Sequence, residues 1–174
     1  MTETVTIFTD GAASPNPGRG GYGIVLIQNG QRRELSGGFV HTTNNRMELV
    51  SVIVALQHIP ETAAATVFSD SKYVVDNLNG GYAVKWRSNQ WRTTATKQPA
   101  KNADLWKTLL KQTERIQVKF IWVKSHAENP ENNRCDELAV LARQIPNLPR
   151  DEEFEKLLVK HEPPMQMHLF EFPS

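Results

Sequence analysis

Very little in this chain could be covalently stapled. It carries a single cysteine, Cys135. One thiol cannot close an internal disulfide, so a disulfide scaffold is excluded and a reducing compartment is expected. No apolar run approaches the roughly 20 residues of a membrane span. The first residues, Met1 to Thr6, form neither a basic region nor an apolar one, so no signal peptide is expected. Charge of one sign is also lacking: the formal net charge is +1 over 174 residues. The global charge says little about partners; its local distribution says more. Internal repeats and low-complexity tracts are absent. The expectation is a soluble, monomeric, cytoplasmic protein with one main domain, long enough to bury its own core.

What is present is unevenly distributed. From Tyr82 to Ala103 there are five basic residues and no acid: Lys85, Arg87, Arg92, Lys97 and Lys101. Trp86 and Trp91 lie among them. From Asp151 to Ser174 there are six acids against Lys156 and Lys160. Prolines 146, 149, 163, 164 and 173 punctuate that same end. We therefore divide the chain into a domain over residues 1–145 and an acidic, proline-containing extension over 146–174, with one short helix predicted at Glu152 to Lys160.

Periodicity supplies the elements. Thr4 to Thr9 alternates and is β-branched, a strand ending at Asp10. Gly11 to Gly21 reads as a loop. Tyr22 to Gln28 and Arg32 to Val40 read as strands joined by the Asn29-Gly30 turn. Thr42 to His58 switches to helical period, with Thr43 or Asn44 as cap and Pro60 closing it. Ala65 to Ser69 is a short buried strand ending at Asp70, followed by a helix from Ser71 to Leu78. Asp104 to Glu114 is a helix and Gln117 to Val123 a strand. Asn129-Pro130 starts the last helix of the domain, to about Arg143. This order predicts an α/β domain around one mixed sheet with three leading antiparallel strands.

Acids fall at suggestive places. Asp10 and Asp70 sit at strand ends, where open α/β sheets collect ligands. Glu48 stands in a helix between Met47 and Leu49, and Asp136 follows Cys135 early in the last helix. Each alone has a plainer reading as a turn former, cap or surface charge. Were they to converge, their repulsion would require a cation, and an all-oxygen donor set suits Mg²⁺ or Mn²⁺.

Longer strings carry a resemblance. Thr9-Asp10-Gly11 with Asn16-Pro17-Gly18 and Gly20-Gly21-Tyr22-Gly23, then Thr42 to Glu48, Ser69-Asp70-Ser71, Trp122-Val123-Lys124, and His126-Ala127 through Arg134-Cys135-Asp136-Glu137-Leu138-Ala139 resemble the ordered motifs of bacterial ribonuclease H type 1. The likeness covers about residues 5 to 143. It implies a ribonuclease H-like fold, a five-stranded mixed sheet with the first three strands antiparallel, flanked by helices. It implies hydrolysis of the RNA strand of RNA–DNA hybrids, leaving 5′-phosphate and 3′-hydroxyl ends, with roles in primer and R-loop removal. It implies two divalent ions, Mg²⁺ with Mn²⁺ able to substitute, on Asp10, Glu48, Asp70 and Asp136. His126 would be the proton carrier or product-release residue.

The same resemblance implies that Gly11, Asn16, Thr43, Asn44 and Asn45 contact the hybrid, whose 2′-hydroxyl distinguishes RNA from DNA. It implies that Lys85, Trp86, Arg87, Trp91, Arg92, Lys97 and Lys101 form a basic protrusion for the DNA backbone. The alternative for the two tryptophans is core packing. Two positions depart from the family pattern. Lys72 stands where relatives commonly have glutamine, so a base or sugar contact gives way to a phosphate contact. Ser125 replaces a glycine before His126. In the extension, Gln166, Leu169 and Phe170 have the spacing of peptides that dock on sliding clamps; packing of these residues on the domain itself is the other reading. A hybrid-binding module without catalysis would lack one of the four acids, and this chain keeps all four. Resolvases, transposases and proofreading exonucleases lack the Asn44 to Glu48 string.

Overall fold

A computed structural model describes residues 4–125 and 129–161. Three strands come first: β1 (Thr4–Ala13), β2 (Gly18–Gln28) and β3 (Gln31–Thr42). Helix α1 (Asn44–Gln57) leads to β4 (Ala64–Ser69), then to α2 (Lys72–Asn79), α3 (Tyr82–Ser88) and α4 (Ala103–Arg115). Strand β5 (Gln117–Trp122), α5 (Pro130–Ala142) and α6 (Glu152–His161) complete the order. The sheet is five-stranded, in the order β3-β2-β1-β4-β5. β1, β2 and β3 pair antiparallel, whereas β1–β4 and β4–β5 are parallel. The expected class and sheet are thus observed.

Local chemistry accounts for the boundaries. Asn29 and Gly30 both adopt positive φ, 51° and 74°, which the tight β2–β3 turn requires. Thr43 rather than Asn44 caps α1, accepting the Arg46 amide at 3.3 Å. Asn129 caps α5 through the Asn132 amide at 3.2 Å, with Pro130 in the first turn.

One expectation is corrected. The stretch Gly11 to Gly21 is not a loop: β1 runs on to Ala13 and β2 starts at Gly18, with Gly11 paired to Tyr22 and Ala13 to Gly20. Its glycines are there for close approach, not for turning. A Cβ on Gly21 would lie 2.2 Å from the Ala139 carbonyl oxygen of α5. In the basic stretch, to which periodicity assigned no element, α3 forms and Arg92 bridges to Pro99.

The sheet separates two cores. The larger packs α1, α2 and α4 around Ile7, Ile24, Leu49, Leu56, Val67 and the fully buried Trp106. A smaller cluster of Val25, Cys135 and Leu138, with Phe8 and Ile27 against it, seats α5 on the other face. Burial pushes the Cys135 thiol far above its usual range, so it behaves as a small apolar group. No helix among the described residues is long and apolar enough to cross a membrane. Gln166, Leu169 and Phe170 lie outside the described residues.

Candidate active site

Parallel pairing sets the first two acids side by side. Thr9 of β1 is in register with Ser69 of β4, so the chain delivers Asp10 and Asp70 at the same level, just past the end of that pairing; β4 stops there, whereas β1 runs on to Ala13 beside β2. Glu48 arrives from above on α1. The backbones of β1 and α1 nearly touch there: a Cβ on Gly11 would lie 2.4 Å from both the Glu48 nitrogen and the Met47 carbonyl carbon. Glycine at position 11 is therefore what lets Glu48 come down onto Asp10. Carboxylate oxygens of Asp10, Glu48 and Asp70 lie within 4.8 Å of one another. Asp136 comes from α5 on the opposite face, near enough for its charge to act on Asp10.

Electrostatics mark this group as unbalanced. Asp10 is only 7% exposed. Burial, then the charge of Asp70 and the proximity of Asp136, push its pKa up to about 7, against a lowering contribution from the Gly11 amide, 2.7 Å away. Glu48 is raised well above the usual carboxylate range by burial first and by Asp10 and Asp70 next. Among the described residues, the buried side-chain atoms without a hydrogen-bond partner are Thr9 Oγ1, Glu48 Oε2 and Asn132 Oδ1. Glu48 belongs to this cluster, Thr9 precedes Asp10, and Asn132 touches Asp70. An uncompensated carboxylate group with an orphaned ligand oxygen and hard oxygen donors fits a divalent cation.

Two supporting residues are not apparent from sequence. Asn132 is buried and its Nδ2 donates to Asp70 Oδ2 at 3.5 Å. It precedes Asp136 by four positions, one helical turn, and that spacing is the signal that could have found it. Trp122 Nε1 donates to the Asp70 carbonyl at 3.0 Å, tying β5 to the same acid. Lys72 is exposed at the start of α2, its Nζ 5.1 Å from the centre of the Trp122 ring.

The asparagines gather beside the acids. Asn16 Oδ1 accepts the Asn44 amide at 3.1 Å, and Asn44 Oδ1 accepts the Ala13 amide. Asn44 and Asn45 are both exposed in the first turn of α1. His126 lies outside the described residues; Ser125, just before it, is an exposed turn residue.

The basic stretch divides into charge on the outside and aromatic rings turned inward. Trp86 meets Trp106 edge-on at 5.7 Å, and Trp91 packs on the core with Lys107 Nζ 5.5 Å from its ring. Both tryptophans are half-buried. Lys85, Arg92, Lys97 and Lys101 are exposed, whereas Arg87 is paired with Glu114 of α4. Arg87 is already partly neutralised from a distant element.

Comparisons with known proteins point one way. Residues 2–144 match the model of the family described as RNase H. The chain is 54% identical over 147 residues to a ribonuclease H of Desulforamulus reducens, covering 84% of this chain and 92% of that one. It is 52% identical to ribonuclease HI of Synechocystis sp. over 155 residues, 88% and 96% of the two chains. Among solved structures it resembles LC9-RNase H1, a type 1 RNase H with the type 2 active-site motif. The TM-score is 0.72 at 26% identity, over 83% of this chain and 74% of that one. The fold is also that of LC11-RNase H1, solved in complex with an RNA/DNA hybrid, with TM-score 0.61 at 24% identity over 80% and 96% of the chains.

Proposed function

Because the chain belongs to the ribonuclease H family and is an endoribonuclease, we propose that it hydrolyses the RNA strand of RNA–DNA hybrids with two divalent ions, Mg²⁺ or Mn²⁺, held by Asp10, Glu48, Asp70 and Asp136. The observation that carries this is the Asp10, Glu48 and Asp70 group, its oxygens within 4.8 Å of one another and Glu48 Oε2 left without a partner. A divalent cation bound there acidifies an attacking water and stabilises the departing 3′-oxygen of an in-line displacement.

The residues of the chain do the rest. Asp10, with Glu48 and Asp70 close by and Asp136 acting on it from α5, would be a central ligand for the ions. Asn132 and Trp122 hold Asp70 from the side chain and the main chain, which fixes the direction of its carboxylate. Asn16, Asn44 and Asn45 offer neutral donors and acceptors for ribose hydroxyls. His126 carries protons to or from the departing group. Lys72 at the site and Lys85, Arg92, Lys97 and Lys101 on the protrusion meet phosphates. LC11-RNase H1, solved with an RNA/DNA hybrid, supports this choice of substrate.

The deciding experiment offers labelled RNA–DNA hybrid, double-stranded RNA and double-stranded DNA, each with and without Mg²⁺. Cleavage confined to the RNA strand of the hybrid, and only with the ion, is expected. Metal-independent cleavage, or cleavage of duplex DNA, would overturn the reading.

Charge pairing on the protrusion yields a second expectation. Changing Lys85, Arg92 and Lys97 together to glutamine should raise KM more than it lowers kcat. It should also reduce the salt slope of binding by ~0.9 for each phosphate no longer neutralised. Arg87→Gln alone should do less, because Glu114 already occupies that guanidinium. An unaltered salt slope in the triple variant would mean that the protrusion does not touch phosphates.

A further inference from the structure

The largest buried charged side chain among the described residues lies outside the acid cluster. Arg46, in the first turn of α1, is 1% exposed. Its Nε donates to Asp151 Oδ2 at 2.7 Å and its Nη2 to Asp151 Oδ1 at 2.9 Å, a two-pronged pairing. The other edge of the guanidinium reaches Asp104, with Nη1 to Oδ1 at 3.0 Å and Nη2 to Oδ2 at 2.7 Å. Asp151 Oδ2 also accepts the Thr42 hydroxyl at 2.7 Å, while its Oδ1 accepts the Phe154 amide at 3.3 Å and so caps α6. Pro149 accepts the Val40 amide at 3.0 Å, and the Phe154 ring lies 5.9 Å from the Arg46 guanidinium carbon. Residues 149–154 are thereby bonded to the end of β3 and the start of α1.

Such a network is a poor source of stability compared with apolar side chains of the same volume. What a forked Arg–carboxylate pair supplies is geometry. Arg46 and Glu48 are about 200° apart around the helix, on opposite sides of it. Glu48 faces Asp10, and Arg46 faces Asp151. Between them the exposed Asn44 is gripped from the strand side by Asn16 and Ala13. The first turn of α1 is held from two directions, and Asp151 closes the second.

We propose that Asp151, acting through Arg46 and Thr42, is a positioning residue for hybrid recognition: segment 149–151 fixes the first turn of α1 so that Asn44 and Asn45 meet the substrate correctly. This rests on the hybrid-reading function above. Beyond Met47 the helix is anchored independently by buried Leu49, Ser51, Val52, Ala55 and Leu56. Loosening the first turn therefore moves the asparagines and leaves Glu48 in place.

The test compares Asp151→Ala, Asp151→Asn and Leu56→Ala in the full chain, at a temperature where circular dichroism shows each folded. Leu56→Ala weakens the far end of the same helix. Asp151→Ala should raise KM for the hybrid about tenfold, the equivalent of one misplaced hydrogen bond. Its kcat and its Mg²⁺ requirement should stay within about twofold of the parent, as expected when ground-state binding alone is lost. Asp151→Asn, which keeps an acceptor for Thr42, should fall between; it decides the matter if the alanine variant does not fold. Leu56→Ala should lower the melting temperature without changing KM. An unchanged KM in the Asp151 variants, or an equal rise in Leu56→Ala, overturns the proposal. Failure of the unaltered protein to cleave hybrid would instead overturn the reading on which it rests.

Discussion

Asp10→Asn is expected to abolish hydrolysis and, at the same time, to make the metal-free protein more stable. The first effect follows from the central place of Asp10. Its carboxylate neighbours Glu48, Asp70 and Asp136, so its loss removes several kcal/mol of charge stabilisation, a fall of at least ~10³-fold in kcat. The second follows from burial. The folded chain holds the Asp10 proton with a pKa raised from 3.8 to about 7. Because the folded state binds this proton more tightly than the unfolded chain does, stability falls as pH rises from about 4 to about 7. Above pH 7 the penalty is complete, on the order of 4 kcal/mol. Asparagine has no proton to lose, so the variant escapes it. Thermal unfolding in a chelator should show Asp10→Asn melting several degrees above the parent at pH 8, with the gap closing toward pH 4. Equal melting temperatures at pH 8 would mean that Asp10 is not strained by its surroundings. Retained turnover would remove it from the reaction.

Gly11→Ala should damage the same site without touching a functional group. A methyl at this position would sit 2.4 Å from the α1 backbone at Met47 and Glu48, too close for any rotamer to relieve. Either β1 bends or α1 lifts, and in both cases Glu48 moves away from Asp10. Overpacking of this kind costs about 1–3 kcal/mol. A displacement of about 1 Å in a reacting constellation costs on the order of 10²-fold in rate. Denaturant unfolding and steady-state hydrolysis measured on the same preparation check both halves. Full activity in the alanine variant would show that the approach of α1 to β1 does not set the carboxylate spacing.

The sequence made much of this site legible, for a physical reason. Asp10 and Asp70 were visible because strands announce themselves by alternation and an acid at the end of one breaks it. Glu48 was visible because a carboxylate is out of place between Met47 and Leu49. The strings around them then carried the family. What stayed hidden depends on partners far away in the chain. Asn132 gains its role from Asp70, 62 residues distant. Arg87 is partly neutralised by Glu114, 27 residues on. Asp151 reads as one acid among several, and only its pairing with Arg46, 105 positions away, reveals a buried structural charge. Glycines misled in a different way: the stretch from Gly11 to Gly21 has the composition of a loop, yet most of it is ladder, because what matters there is the absence of a side chain between sheet and helix.

One helix, α1, presents Asn44 and Asn45 to solvent in its first turn and Glu48 to the acid cluster in its second. The part that would choose the ribose and the part that would cut beside it thus lie on one helix, about 6 Å apart along the axis, but different neighbours fasten them: Asn16 and, through Arg46, Asp151 hold the first turn, and the buried side chains from Leu49 on seat Glu48. Selectivity and chemistry are therefore separable within a single helix. A redesign that regrafts the start of α1 for a different sugar can keep its carboxylate, provided that the buried positions after Met47 are left as they are.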